Sequence, residues 1–509
     1  MVYSALNENI VTIDQDAGIY PDKLEQYQHR DEEKKEIFVN HIPSIWLSKR
    51  FYTTAVIFLC YMNLGMIISN INIAVVEMTS PKNISVGNIT ITKPAEFQWD
   101  PSTVGIVSSI ISYGGLFSIG GGYFVNKLGG SVSGAVVLMI CGVLTLLQPS
   151  TLYMDYRIFL SFRLLTGFFA NCFFISSAEI FSRWFPRRER STLISFCSNG
   201  GNVGMTVMYP LFGLIADRLG WQMVFYTSGF ISLAIGWLCL TVVTNLPSQD
   251  KWISQEELTY ILNETYDDSR KRYQTSHPYK KILLSPAVWA ICLGDSTMLW
   301  VQTIVSGCLP LYAKDSTGRS TDEIGMLSSV PVAVTIILYP LSGTIIDYWK
   351  NHHTHVKPTR MDKTIIGSAF LSMSLFFLGC AIFSNFTISM VFFVTIQITK
   401  SIVQPVLEPN VVNIAPNDSS IVAGLTKLCS CSSTIISRTL TGFMTINHTT
   451  QEWNNCFLLA AGVLIIGAVT FVKYGSSEPQ TWSLSSNTKE KEQLVEDESR
   501  YLLGPNHQK

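Results

Sequence analysis

The chain has 509 residues, a formal net charge of −1 and a hydrophobic fraction of 47%. Near-zero charge with no basic domain carrying interleaved aromatics gives no nucleic-acid footprint. The eleven cysteines are scattered, and the closest pair, Cys429 and Cys431, sits at i, i+2 on different helix faces, so neither a zinc site nor a disulfide framework is indicated.

In chain order, residues 1–50 form a polar tail without the basic, apolar and small-residue succession of a cleavable signal, so the first apolar span is expected to target the membrane and stay. Spans follow at 54–76, 103–125, 131–149, 158–181, 193–216 and 222–244, then, after a charged segment, at 287–313, 322–346, 363–384, 388–408, 421–446 and 454–474. Each matches the roughly 20 residues that cross a hydrocarbon core of about 30 Å. A stretch such as 371–382 is apolar all round, where a soluble core helix would show a polar stripe. The expected fold is an all-α integral membrane protein with 12 transmembrane helices in two six-helix halves, 51–244 and 287–474, joined by a central loop at 245–286 and followed by a tail at 475–509. Six plus six is the layout of secondary transporters built around a midplane cavity.

Both tails are expected in the cytosol. That choice puts most loop cations, around Lys127, 183–190, 251–281 and 350–363, on the cytosolic side. It also puts the sequons at Asn83, Asn88, Asn385 and Asn447 outside as glycan acceptors, while those at Asn263 and Asn417 fall inside and go unused.

Gly120-Gly-Gly122 with Asn126, Lys127, Gly129 and Gly130 lies between the second and third spans, where a tight turn brings two helices together. Gly343 and Asp347 echo it at the matching place in the second half, and this recurrence points to the major facilitator architecture. Gly122, Lys127 and Gly129 are therefore gating candidates. Glu189 and Arg190, with Arg183, either latch the ends of spans four and five through ion pairs or form a solvated anchoring turn. Ser254-x-x-Glu257 is a possible capping box opening a short interfacial helix in the central loop.

Ionisable residues inside spans are costly unless paired or wet. They are Arg163, Asp295, Lys400, Glu408, Lys427 and Arg438. Lys400, Gln404 and Glu408 repeat at i, i+4 and i+8 along one face of span ten, as a substrate or coupling stripe or as an internal Lys–Glu pair. Asn63, Asn70 and Glu77 form a similar stripe in span one. Arg163 is an anion contact or a structural partner of a neighbouring carbonyl or acid. Lys427 supports the cavity or pairs locally, and Arg438 snorkels from a helix end.

Phe97-Gln-Trp99-Asp100, Arg183-Trp184-Phe-Pro186 with Glu189-Arg190-Ser191, Gly220-Trp221 with Val224-Phe225-Tyr226, Ile253-Ser254 with Glu257 and Tyr260-Ile261, Ile414-Ala415-Pro416 and Trp482 together resemble the anion/cation symporter family of the major facilitator superfamily. That family includes sialin and the vesicular glutamate, vesicular nucleotide and sodium/phosphate-type organic anion transporters. The resemblance covers residues 50 to 483. It implies twelve helices, alternating access, helices one, four, seven and ten around the cavity, and family matches at Arg163 and Asn70. Taken with the in-span charges and the span-ten stripe, the candidate substrate-binding set is Arg163, Asn70, Asp295, Trp300, Lys400 and Gln404, with Asp295 and Glu408 as candidate coupling groups. The departures are Ile68 at the family's span-one arginine, Thr166 and Ala170 at its span-four acids, and Asp295 at its span-seven histidine. A carboxylate there can still carry a proton when desolvated.

The leading expectation is a secondary active transporter of a small organic or inorganic anion; the alternative is a non-transporting receptor or scaffold that kept the fold. The partners expected are a small anionic solute and the lipid bilayer. No cofactor is expected beyond a coupling H+ or Na+. No Ser/His/Asp grouping, metal cluster or phosphate loop appears, so an enzyme is not expected. Glu498, Leu502 and Leu503 form an acidic dileucine pattern in the tail, the kind read by endolysosomal sorting adaptors, which suggests a lysosomal or vesicular address, with the plasma membrane as the other.

Overall fold

The computed structural model describes residues 48–79, 82–86, 89–93, 96–99, 101–265, 278–317, 321–353, 355–383, 385–447 and 449–483. Twelve helical rods run through them. The first six are α1 (Lys49–Thr79), α2 with α3 (Pro101–Gly114 and Ile119–Leu128), α4 (Gly130–Met154), α5 (Tyr156–Trp184), α6 (Arg190–Leu219) and α7 (Trp221–Val242). Two short helices, α8 (Gln255–Glu264) and α9 (Tyr279–Leu283), lie in the central loop. The second six are α10 with α11 (Pro286–Gln302 and Leu309–Thr317), α12 (Thr321–His352), α13 (Pro358–Phe383), α14 (Phe386–Ile414), α15 (Ser419–Met444) and α16 (Thr450–Tyr474). Among the described residues nine helices are long and apolar enough to cross a membrane. The rods at α2–α3, α6 and α12 complete the two sets of six.

Each half has its own apolar core. Ile57, Cys60, Phe173 and Trp184 are buried in the first, and Phe377, Phe393, Trp453 and Phe457 in the second. The rods are therefore packed as two bundles, and the contacts between bundles run mainly through α6 with α12 and through α3 and α5 with α15. Glycine sets how closely these pairs approach. A Cβ on Gly122 would sit 3.2 Å from the Ser420 carbonyl oxygen, and one on Gly343 would sit 2.7 Å from that of Ser191. The two glycines occupy matching places in the two halves, each against a helix of the other half. Gly129 has φ +84° between α3 and α4, and Gly220 has φ +91° between α6 and α7, both in the left-handed region that favours glycine.

One departure from an all-helical reading is a hairpin between the first two rods. Lys82–Val86 (β1) pairs antiparallel with Ile89–Lys93 (β2), bringing Asn83 opposite Thr92. Alternating β-branched residues around a Gly87-Asn88 pair carry that signal in the sequence. Two further interruptions fall inside rods. A 3-10 turn, Gly115–Phe117, separates α2 from α3, and a π-helical segment, Thr303–Cys308, separates α10 from α11.

Candidate functional site: a cavity between the halves

The starts and ends of the rods define one end of the bundle at which the chain enters at Lys49 and leaves at Ser483. At this tail end side chains tie the halves together. Arg190 Nη1 donates to Asn413 Oδ1 (2.7 Å), and Asn351 Nδ2 donates to the Arg188 carbonyl oxygen (3.0 Å). Asp347 accepts the backbone N–H groups of Ser191 (3.2 Å) and Thr192 (2.6 Å), capping α6 from the opposite half. Deeper in the bundle, Asn199 Nδ2 donates to the Ile336 carbonyl oxygen (2.8 Å).

Glu189 and Arg183 make ion pairs with Arg50 of α1 and Glu179 of α5. Glu189 pairs with Arg50 (2.5 Å), while Arg190 also donates to the Phe185 carbonyl oxygen. Burial holds the Glu189 carboxyl above its ordinary value, with Arg50 opposing it. The expected capping box of α8 is half made: Ser254 Oγ accepts the Glu257 N–H (3.2 Å), but the Glu257 carboxylate turns instead to Lys49 and Arg50. Of the other gating candidates, Lys127 is exposed.

Between the halves lies a cavity of about 380 Å³. Seven rods line it: α1 through Tyr61 and Ile68, α5 through Asn171 and Phe174, α6 through Ser198 and Asn202, and α10, α12, α14 and α15 from the second half. Every charged lining residue belongs to the second half, namely Asp295, Lys400, Glu408 and Lys427. Lys427 Nζ stands 3.8 Å from Asp295 Oδ2 and 5.0 Å from the centre of the Phe174 ring, across the boundary between halves. Lys400 Nζ donates to Gln302 Oε1. Tyr339 donates its hydroxyl to Glu408 Oε2 (2.7 Å), and Gln404 Nε2 donates to Oε1 (2.9 Å). The stripe on span ten thus reaches the cavity, but Lys400 and Glu408 do not pair with each other. Helical geometry explains the shared face: residues four and eight apart differ by only about 40° and 80° around the axis.

Arg163, Asn70 and Trp300 do not line this cavity. On α1 the lining positions are 61, 64, 65 and 68, so Asn63 and Asn70 face elsewhere; their amides donate to Ser232 and Ser228 of α7. Arg163 shares the helical face of Phe174 but lies 11 residues, about 16 Å, further along α5, where Asn70 Oδ1 accepts from its Nη1 (3.1 Å). It is fully buried, and its Nε and Nη2 have no hydrogen-bond partner among the described residues. Trp300 is buried in the second core. Arg438 is exposed. No sequence signal marks Tyr339 or Gln302: a lone neutral polar side chain in a span carries no cost signal and forms no charged stripe. Asn385 and Asn447 are exposed. Asn88, Glu498, Leu502 and Leu503 lie outside the described residues.

Two six-rod bundles around a shared cavity define a membrane solute transporter of the two-half kind. The chain matches the Major Facilitator Superfamily model over residues 53–436 and belongs to that superfamily. Among curated proteins it is 26% identical over 430 residues to vesicular glutamate transporter 3 of Danio rerio, covering 82% of this chain and 72% of that one. It is 27% identical over 397 residues to human sialin, covering 77% and 79%. Among solved structures the fold resembles the proton:xylose symporter XylE (TM-score 0.63, 16% identity, 84% of this chain and 96% of the other) and FucP in the outward conformation (TM-score 0.55, 12% identity, 83% and 99%). The resemblance to the anion/cation symporter family is thereby supported over most of the chain. The protein is a multi-pass secondary transporter and not an enzyme, and nothing in the comparisons favours a receptor or scaffold.

Proposed function

We propose that the protein moves a small organic anion by alternating access, using the cavity between its halves as the binding site. The observation that carries this is the cavity itself: it is built by both halves, holds four of the six charged residues of the spans, and is closed at the tail end by Arg190–Asn413 and Asp347 on α6. The names of the relatives, vesicular glutamate transporters among them, support an organic anion. Lys400 is the cavity contact for it, with Gln404 beside it. Arg163 is a second contact in a conformation in which α1 no longer covers it. Coupling to H+ or Na+ falls to Asp295 or Glu408.

We place all twelve rods across the bilayer with both tails in the cytosol, so that the closed tail end makes this the outward- or lumen-facing state. Glycans then fall on Asn83, Asn88, Asn385 and Asn447, and endolysosomal sorting adaptors engage Glu498, Leu502 and Leu503. Glycopeptide mapping tests the topology: a glycan on Asn263 or Asn417 overturns it. Uptake into proteoliposomes of a panel of anions under imposed proton, sodium and voltage gradients tests the activity. No gradient-dependent uptake of any anion would remove the reading.

A further inference from the structure

The four charges of the cavity are not equivalent. Asp295 and Lys427 face each other and neutralise locally. Lys400 contacts only a neutral amide, Gln302, and Glu408 only a neutral phenol and a neutral amide, Tyr339 and Gln404. Among the described lining residues the cavity therefore holds one matched pair, one spare cation and one spare anion. Lys400 and Glu408 are eight residues apart on α14, about 12 Å of helix rise between their backbones, and no ion pair joins their side chains.

A charge in a span whose contacts are all neutral is costly, so Lys400 and Glu408 each serve as a binding pole. A carboxylate beside aromatic walls, here Glu408 with Tyr339 and Tyr61 lining the cavity, suits an ammonium, which gains from both the charge and the ring faces. An ammonium beside an amide, here Lys400 with Gln302, suits a carboxylate through charge-assisted hydrogen bonds. The first half contributes uncharged hydroxyl, amide and aromatic groups, and Ile68 brings no charge to this wall. A simple anion would satisfy Lys400 and leave Glu408 exposed to it as a like charge.

We propose that the carboxylate this site takes is one pole of a zwitterion of the ω-amino acid or dipeptide kind, so that the solute is not a simple anion: its carboxylate sits on Lys400 and its ammonium on Glu408. This rests on the cavity being the transport site. An α-amino acid carries both poles on one carbon, the shortest separation in the class, and is the control for length. With Glu408 reading the ammonium, Asp295 is left as the coupling carboxylate.

The test uses the purified full-length protein in detergent, with thermal unfolding measured in δ-aminovalerate, valerate, n-pentylamine and glycine. δ-Aminovalerate is expected to raise the unfolding temperature at concentrations about tenfold or more below those needed for the three others, the cost of leaving one charged pole unmatched. Glu408→Gln is expected to erase the preference over valerate, and Lys400→Gln the preference over n-pentylamine. Equal responses of the wild-type protein to δ-aminovalerate and valerate, or no response to δ-aminovalerate, overturn the proposal even where a variant fails to fold. So does unchanged selectivity in a monodisperse Glu408→Gln protein. Proteoliposome uptake separates the two readings: gradient-driven uptake of simple anions but not of δ-aminovalerate sinks the zwitterion and keeps the transporter. Binding without any uptake does the reverse.

Discussion

Glu257 closes on Arg50 from 207 positions along the chain, accepting both its backbone N–H (2.8 Å) and its Nε–H (3.1 Å). The same carboxylate accepts the Lys49 N–H (3.0 Å), so a side chain of the central loop caps the N-terminus of α1. Arg50 is fully buried and also holds Glu189, and it stacks at 4.9 Å over the Tyr260 ring. Three separate segments, the start of α1, the turn before α6 and helix α8, thus share one guanidinium.

Removing that carboxylate leaves a buried cation short of a partner and two helix N–H groups uncapped. Glu257→Ala should lower the stability of the purified protein by about 3–5 kcal/mol, the usual cost of breaking one side of a buried pair. Glu257→Gln keeps an acceptor for the N–H groups and should cost less. Thermal unfolding of the two variants checks this, and equal losses would show that the cap contributes nothing beyond the charge.

A side chain at Gly343 has no room in the closed arrangement, because its Cβ would press on the backbone of α6 at Ser191. Gly343→Ala should therefore push α12 away from α6 and weaken the caps that Asp347 places on Ser191 and Thr192. Hydrogen exchange at those two amides should accelerate. Gly122→Ala meets the Ser420 oxygen at 3.2 Å and should give a smaller change, and Gly120→Ala, whose Cβ meets nothing within 4 Å, should be silent. A silent Gly343→Ala would mean that the tail end closes without this contact.

Burial at the closed tail end raises the Glu189 pKa above its ordinary value, and Arg50 offsets this only in part. A raised acid binds its proton more tightly in the closed form than in one where the group is wet. The resulting stabilisation of closure is complete below the ordinary carboxylate value and is lost as pH rises through the raised one. Acidifying the tail side should accordingly raise the protection factors of Ser191 and Thr192, the exchange rates taken relative to the intrinsic rate at each pH, and Glu189→Gln should remove that rise. An identical pH profile in Glu189→Gln would locate the titration elsewhere.

The two-bundle fold was legible because it is written in the distribution of charge and apolar length, which a bilayer reads directly. Gly122 and Gly343 were legible as a pair because the halves repeat. The charged stripe of Lys400, Gln404 and Glu408 was legible because its spacing fixes a face. Which face Asn70 presents was not: its seven-residue spacing from Asn63 fixes a stripe but not its neighbour, and α7 rather than the cavity meets it. Arg163 was placed by its helix, yet depth along α5 puts it under Asn70. Ser254 three residues ahead marks Glu257 as a local cap, while its partner Arg50 stands 207 positions back, ahead of the whole first half, a pairing that no local spacing encodes.

Asp295 and Lys427 provide the sharpest test of how the cavity is balanced. Their separation of 3.8 Å allows an ion pair without a close hydrogen bond, and Lys427 is shared with the Phe174 ring of the other half. Asp295→Asn alone leaves Lys427 as a second spare cation, and Lys427→Gln alone leaves Asp295 as a second spare anion. Each single variant is expected to lose abundance in the membrane, by analogy with the heavy cost of removing one partner from a buried pair. The double variant removes both charges, so its abundance should recover toward that of the wild-type protein. The coupling between the two sites, obtained from a double-mutant cycle on unfolding temperature, should be clearly non-additive. If Asp295 carries the coupling proton, the double variant should also exchange solute while failing to accumulate it against a pH gradient. Additive losses would show that the two residues act independently despite their proximity, and pH-driven accumulation in the double variant would take the coupling role away from Asp295.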